Sequence, residues 1–256
     1  MTLPAARLAA CFTVLGLNLP VYAALAIAGI LAALWLSLHT APHAGLPPER
    51  LWDAGVFAVL AAFVLSRAMD FLLLLVIEHG QNALSFREIL SFSSISYLSL
   101  LVTAVPVLLW LRWKHLPLLR TMDAWAPCAV LLWAALSLAD AASGSGLGLP
   151  TRLPWGVRAA GAAAGVRVQP VALYSAAVAF ALCAALVHRI RRMHSPGRIA
   201  GAALLASGTA SFLLDMLRMP EQPLAHTWLD ASQWISLAGI GIGSCLLTLP
   251  TEREAH

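Results

Sequence analysis

Seven stretches of the chain run almost free of charge for about the length of a bilayer crossing: residues 17–38, 55–77, 89–111, 122–141, 171–190, 199–217 and 229–249. A helix needs about 20 consecutive apolar residues to cross the hydrocarbon core, so each stretch predicts one transmembrane helix. The gaps hold the punctuation that ends helices: prolines between residues 40 and 48, the charged turn from Arg112 to Leu116, and Ser195-Pro196-Gly197. One connection is long, about residues 143–170, and rich in Gly and Pro. Loops of that length in a compact bundle are functional or mobile. The expected fold is all-α: a single polytopic helical bundle over residues 1–256 with about seven transmembrane helices. No self-similarity at a fixed period supports a transporter built from two repeats.

Composition agrees. Sixty per cent of residues are hydrophobic and 11% charged, against roughly 25% charged in an average soluble domain. The formal charge of +4 comes from fifteen arginines and one lysine spread through the gaps. With no basic stripe, nucleic acid is not an expected partner. Counting alternate gaps, Arg50, Arg112, Lys114, Arg120, Arg189, Arg191, Arg192, Arg198 and Arg253 share one side. Arg7, Arg87, Arg152, Arg158, Arg167 and Arg218 share the other, three of them in the long connection, where charge counts for less. Nine against six predicts the amino terminus outside and the carboxyl terminus cytoplasmic, in a bacterial inner membrane.

The four cysteines (Cys11, Cys128, Cys183, Cys245) are far apart in apolar sequence and read as core or lipid-facing residues. Leu8-Ala9-Ala10-Cys11 has the form of a lipobox, but only ten residues precede Cys11 and Arg7 interrupts them, so it reads as chance. The eight histidines make no His-x-x-x-His pair, and neither a metal nor a cofactor is expected.

Charges inside the apolar stretches cost roughly 2.5–3.5 kcal/mol each on insertion scales, so they normally face the bundle interior with a partner. Arg67 and Asp70 stand three apart and can share a helix face. They read either as a buried structural pair or as part of a polar cavity for a lipid headgroup. Asp215 and Arg218 repeat the spacing at a span end. That pair either closes a helix end or offers a guanidinium to headgroup phosphates. Ser91, Ser93, Ser94, Ser96 and Ser99 in the third span suit close helix packing. No nearby histidine would activate one as a nucleophile.

One stretch is specific to a family. Asp123-Ala124-Trp125-Ala126-Pro127 opens a span, and Pro150-Thr151-Arg152-Leu153-Pro154-Trp155-Gly156-Val157 follows. This resembles the prolipoprotein diacylglyceryl transferases, whose centre runs from D-x-x-A-P to P-T-x-L-P-W-G-V with the same separation. Other landmarks follow in family order. Tyr22 resembles the tyrosine of W-Y-G, and Leu116-Pro117 through Arg120 resembles L-P-x-x-R. Gln169-Pro170-Val171-Ala172-Leu173-Tyr174 resembles H-P-S-Q-L-Y-E, Leu217-Arg218-Met219-Pro220 resembles F-[LF]-R-x-P, and Gln233-Trp234-Ile235-Ser236-Leu237 resembles G-Q-x-L-S.

The resemblance implies a seven-span enzyme that moves diacylglyceryl from phosphatidylglycerol to a lipobox cysteine, with arginines and a histidine near the outer face holding phosphate and assisting proton transfer. Such guanidinium groups would stabilise the departing glycerol phosphate in a poorly solvated site.

This sequence departs from the family at those charged positions. Ser137 and Asp140 replace the arginine and asparagine of G-R-x-G-N-F, and Ser143-Gly144-Ser145 replaces N-G-E. Tyr97 or Leu98 falls at the histidine of S-F-H-G-G. Val168, Gln169 and Ser175 replace arginine, histidine and glutamate; Ser207 and Ser211 stand at a tyrosine and an arginine; Arg218 is retained.

The resemblance therefore implies a diverged member that binds phospholipid at Tyr22, Arg67, Arg167, Tyr174 and Arg218, with little or no transfer. A lipobox-bearing or other membrane-anchored protein is the expected second partner. The alternative is an active transferase using Arg67, Arg167 or Arg218 on phosphate and Asp140 or Asp215 as base. A transporter or scaffold reusing the bundle is the third reading.

Overall fold

The computed structural model describes residues 11–14, 17–77, 97–158, 167–192, 195–218 and 229–248. Arg7, Arg87, Arg253, Ser91, Ser93, Ser94 and Ser96 lie outside them, as do the side chains of Cys11, Asp70, Tyr97, Leu98 and Ser99.

The described residues are mostly helical. Seven helices follow in order: α1 Val21–Thr40, α2 Pro48–Ile77, α3 Tyr97–Trp113, α4 Leu118–Ser143, α5 Val171–Ile190, α6 Arg198–Asp215 and α7 Ala231–Thr248. Five of them (α1, α2, α4, α5 and α7) are long and apolar enough to cross a membrane. Helix α3 has 17 described residues. Helix α6 has the length, but its glycines, serines and end charges dilute it.

The expected stretches differ from the helices mainly at their ends. The first expected span starts at residue 17, yet Leu17–Pro20 is a strand, β2, paired antiparallel with β1, Cys11–Val14. Proline disfavours the helical region for the residue before it, so Leu19 stays extended and the helix begins only after Pro20. Helix α2 starts at Pro48 rather than at 55 because proline suits a first helical turn, and Glu49 is a favourable acid there.

Packing in the bundle inverts the soluble pattern. Many buried positions are alanines, among them Ala23, Ala26, Ala134, Ala139, Ala176, Ala179, Ala200 and Ala203, beside larger residues such as Leu51, Leu111, Leu186 and Ile199. Many other large apolar side chains stay outside, with Trp113 72% and Leu109 64% exposed. Alanine-rich contacts with exposed apolar bulk suit a hydrocarbon surround, since helices in lipid associate through close backbone approach.

Helix α4 is the hub, packing on α1, α5 and α6, while α2 bridges α1 to α3 and α7 lies along α6. Thr40, 1% exposed, ties the end of α1 to α4 by donating its Oγ1 hydrogen to the Ala124 carbonyl at 2.8 Å. Gly201, Gly208 and Gly243 let α6 and α7 touch; a Cβ at Gly243 would stand 2.6 Å from the Leu205 nitrogen.

The long connection is ordered where it is described. Strands β3 (Pro150–Thr151), β4 (Val157–Arg158) and β5 (Arg167–Val168) form a small antiparallel sheet in the order β3-β5-β4.

Candidate functional site

At the end of the bundle where α4 finishes, five segments converge. Helix α4 stops at a glycine: Gly144 takes φ 75°, the left-handed conformation that suits glycine, while the Ser145 N–H returns to the Asp140 carbonyl at 2.9 Å. The Ser145 hydroxyl adds bonds to the same carbonyl at 3.0 Å and to the Asp140 carboxylate at 3.1 Å. Asp140 is thereby held at the rim, within electrostatic reach of Tyr22 from α1 and of Arg218 beyond α6.

The chain after α4 then locks onto the ends of α5 and α6. Gly148 donates to the Gln169 carbonyl at 2.8 Å, and Leu149 donates to the Leu217 carbonyl at 2.9 Å. Gly148 also bridges Arg218 antiparallel. A side chain at Gly148 would collide with the Leu217 carbonyl, so glycine is required by space. Arg218 is thus fixed through its backbone, and its Nε faces Asp215 Oδ1 at 3.6 Å. That distance gives charge attraction but not a hydrogen bond, and Nε has no hydrogen-bond partner among the described residues.

The small sheet forms the outer wall. Trp155, at the centre of the Leu-Pro-Trp-Gly segment, donates its indole N–H to the Tyr174 hydroxyl on α5 at 2.7 Å. Arg167 on β5 is exposed, and its Nη1 donates to the Pro154 carbonyl at 3.1 Å. Trp155 and Leu153 remain exposed on this wall.

Several expected residues do not join this cluster through their side chains. Ser137 and Ser175 are buried in the helix packing. Gln169 works through its backbone, accepting from Gly148 and Val171. Arg67 lies on α2 with its guanidinium carbon 5.8 Å from the centre of the Phe63 ring. Ser207 and Ser211 instead line an apolar groove of about 410 Å³ between α4 and α6, with Trp125, Trp133 and Leu204. Its lining on α6 runs from Ala200 to Ser211, a span of about 16 Å at 1.5 Å per residue.

At the opposite end, the sequence motif marks Asp123 as a landmark but does not reveal its role. Asp123, 6% exposed, accepts from the Gly197 N–H at 2.6 Å and from the Ala200 N–H at 2.7 Å. It caps α6, whose own N-cap, Gly197, has no side chain to do so. A glycine at a helix start preceded by Ser195-Pro196 was the available signal that the cap must come from elsewhere. Among the described residues no three His, Cys, Asp or Glu side chains gather as a metal site. Cys128 and Cys183 are buried free thiols and Cys245 is exposed.

Comparison with known proteins gives the same family as the motifs. The prolipoprotein diacylglyceryl transferase model matches residues 9–249. The phosphatidylglycerol–prolipoprotein diacylglyceryl transferase of Gloeobacter violaceus is 28% identical over 243 residues, which cover 92% of this chain and 90% of that protein. The enzyme of the same name from Cereibacter sphaeroides is 31% identical over 172 residues, 57% of this chain and 58% of that one. The one from Leifsonia xyli subsp. xyli is 26% identical over 162 residues, 59% of this chain and 48% of that one. The matched part therefore spans roughly half the length of two of these relatives and nine-tenths of the third. With a family match over nearly its whole length, this chain belongs to the prolipoprotein diacylglyceryl transferase family.

Proposed function

We propose that the chain is a single multi-pass domain of the bacterial inner membrane that holds a phospholipid and transfers its diacylglyceryl group weakly or not at all. In this reading it has seven spans, with the amino terminus outside and the carboxyl terminus cytoplasmic. The site at Asp140 and Arg218 then faces outward, where Tyr22, Tyr174 and Arg167 surround a headgroup. Phosphatidylglycerol, which the relatives' names carry, is the lipid proposed, and a lipobox-bearing protein the second partner.

The observation that carries the reading is the charge balance around Arg218. Its Nε faces Asp215 at 3.6 Å, and Asp140 is a second carboxylate in electrostatic reach. A phosphate must compete with both, and the positions where the resemblance puts further arginines hold Ser137, Val168 and Ser211. Charge-assisted contacts are roughly twice as strong as neutral ones, and loss of one transition-state donor typically slows a reaction by about 10²–10³-fold. Binding tolerates such losses better than chemistry does, because an apolar groove can retain a lipid by its chain. The α4/α6 groove, at about 410 Å³, lies in the size range of small-molecule sites, roughly 300–1,000 Å³. Ser207 and Ser211 leave that groove open where larger side chains would fill it.

The expected result for Arg218→Gln is a several-fold fall in phosphatidylglycerol copurifying with the protein, read by native mass spectrometry. Lipid content equal to wild type in a folded variant contradicts the reading. A second reading, an active transferase with remodelled chemistry, is favoured by the electrostatic interaction of Asp140 with both Tyr22 and Arg218. There Asp140 or Asp215 takes the thiol proton and Arg218, aided by Arg167 or Arg67, holds phosphate. It requires measurable transfer that Asp140→Asn removes.

A further inference from the structure

A polar cavity of about 420 Å³ opens at the other end of the bundle, where α4 begins and α5 ends. One wall is the turn after α1, from Pro42 to Gly45, where Gly45 takes φ 71°. The facing wall is the Ser195-Pro196 turn leading into α6. Arg120, from the first turn of α4, and Arg191, just past α5, both line the space, with His43 on the Pro42–Gly45 wall. The Arg120 guanidinium lies over the Gly45 turn, its Nη1 3.6 Å from where a Cβ on Gly45 would stand.

The cavity is electropositive. Asp123 is the acidic residue among its lining residues, and both of its oxygens accept from the α6 backbone, from Gly197 at 2.6 Å and Ala200 at 2.7 Å. Neither Arg120 nor Arg191 has an ion-pair partner among the described residues. Two permanently charged guanidinium groups and an imidazole lining one space, on walls that carry Pro42 and Pro196, suit an oxyanion in charge, and the planar guanidinium fork suits phosphate oxygens.

We propose that this cavity binds a phosphate group, separately from the Arg218 site and whatever that site does. The ligand is either the phosphodiester of a lipid headgroup, since both arginines sit at helix ends where headgroups lie, or a free phosphate monoanion or dianion.

The full-length protein is used in an Arg218→Gln background, so that only this cavity is read. In phospholipid-free detergent, inorganic phosphate is titrated while thermal unfolding is followed. In nanodiscs, retained phosphatidylglycerol is counted by native mass spectrometry against an otherwise identical phosphatidylcholine disc. A phosphate-dependent rise in Tm that R120Q/R191Q loses identifies free phosphate as the ligand. Retention of phosphatidylglycerol that falls at least five-fold in R120Q/R191Q, without a response to phosphate, identifies a headgroup. R120K/R191K, which keeps charge but not the fork, should fall in between. Both arginines are exposed, so folding is not at stake; unchanged helical circular dichroism checks this. Equal behaviour of wild-type and R120Q/R191Q cavities in both arms overturns the proposal.

Discussion

Asp123→Ala should be the most damaging single substitution in the bundle, lowering stability by about 3 kcal/mol or more. Hydrogen bonds to a charged group contribute roughly 1.5–3 kcal/mol each, and removing the acceptor leaves its buried donors unsatisfied. Here two short bonds, from Gly197 and Ala200, end on one buried carboxylate. The carboxylate also sits at the positive end of the α6 dipole, where a negative charge is favourable. No side chain in the α6 sequence can take over, because the N-cap is glycine. Asp123→Asn keeps one acceptor oxygen and loses the charge, so it should fall between Ala and wild type. Thermal unfolding in detergent reads the order wild type, Asn, Ala; an Ala variant as stable as wild type would mean that α6 does not depend on this cap.

Gly243→Leu should be nearly as severe, for a steric reason. A Cβ there would stand 2.6 Å from the Leu205 nitrogen and 2.7 Å from the Gly201 carbonyl, both backbone atoms of α6. Neither can swing aside, so the helices must part along a seam that Gly208 also keeps close, with its Cβ position 2.8 Å from the Ser236 carbonyl. Overpacking costs typically about 1–3 kcal/mol when side chains can adjust, and more is expected where backbone must move. Gly241→Ala supplies the control: nothing lies within 4 Å of its Cβ position, and replacing a helical glycine by alanine gains up to about 1 kcal/mol. A wild-type yield and Tm for Gly243→Leu would show that the two helices are not packed as described.

The helices were legible in the sequence because hydrocarbon tolerates so little: a run of apolar residues between charged turns has few alternatives. Val171–Ile190 matches its expected bounds. The ends were less legible, since backbone chemistry decides them locally: Leu19-Pro20 holds the chain extended and delays α1, while Pro48 and Glu49 start α2 early. Two-residue strands such as Arg167–Val168 are too short for any alternation to register. At the site, motif order led to Asp140, Ser145 and Arg218, which the fold brings to one rim. It could not say that Ser207 and Ser211 face a groove, because which face of α6 meets α4 depends on packing. Nor could it reveal the partner of Asp123, which lies 74 residues away in sequence.

The most direct test of the functional account is transfer itself. Purified, lipid-replete protein is incubated with phosphatidylglycerol carrying labelled acyl chains and a lipobox peptide, beside an active family enzyme under the same conditions. The charge balance around Arg218 predicts diacylglyceryl-peptide formation at least about 100-fold slower than the reference, the effect of losing a single charge-stabilising donor, while phosphatidylglycerol still copurifies. Transfer at a rate within a few-fold of the reference would contradict it and establish the remodelled enzyme instead.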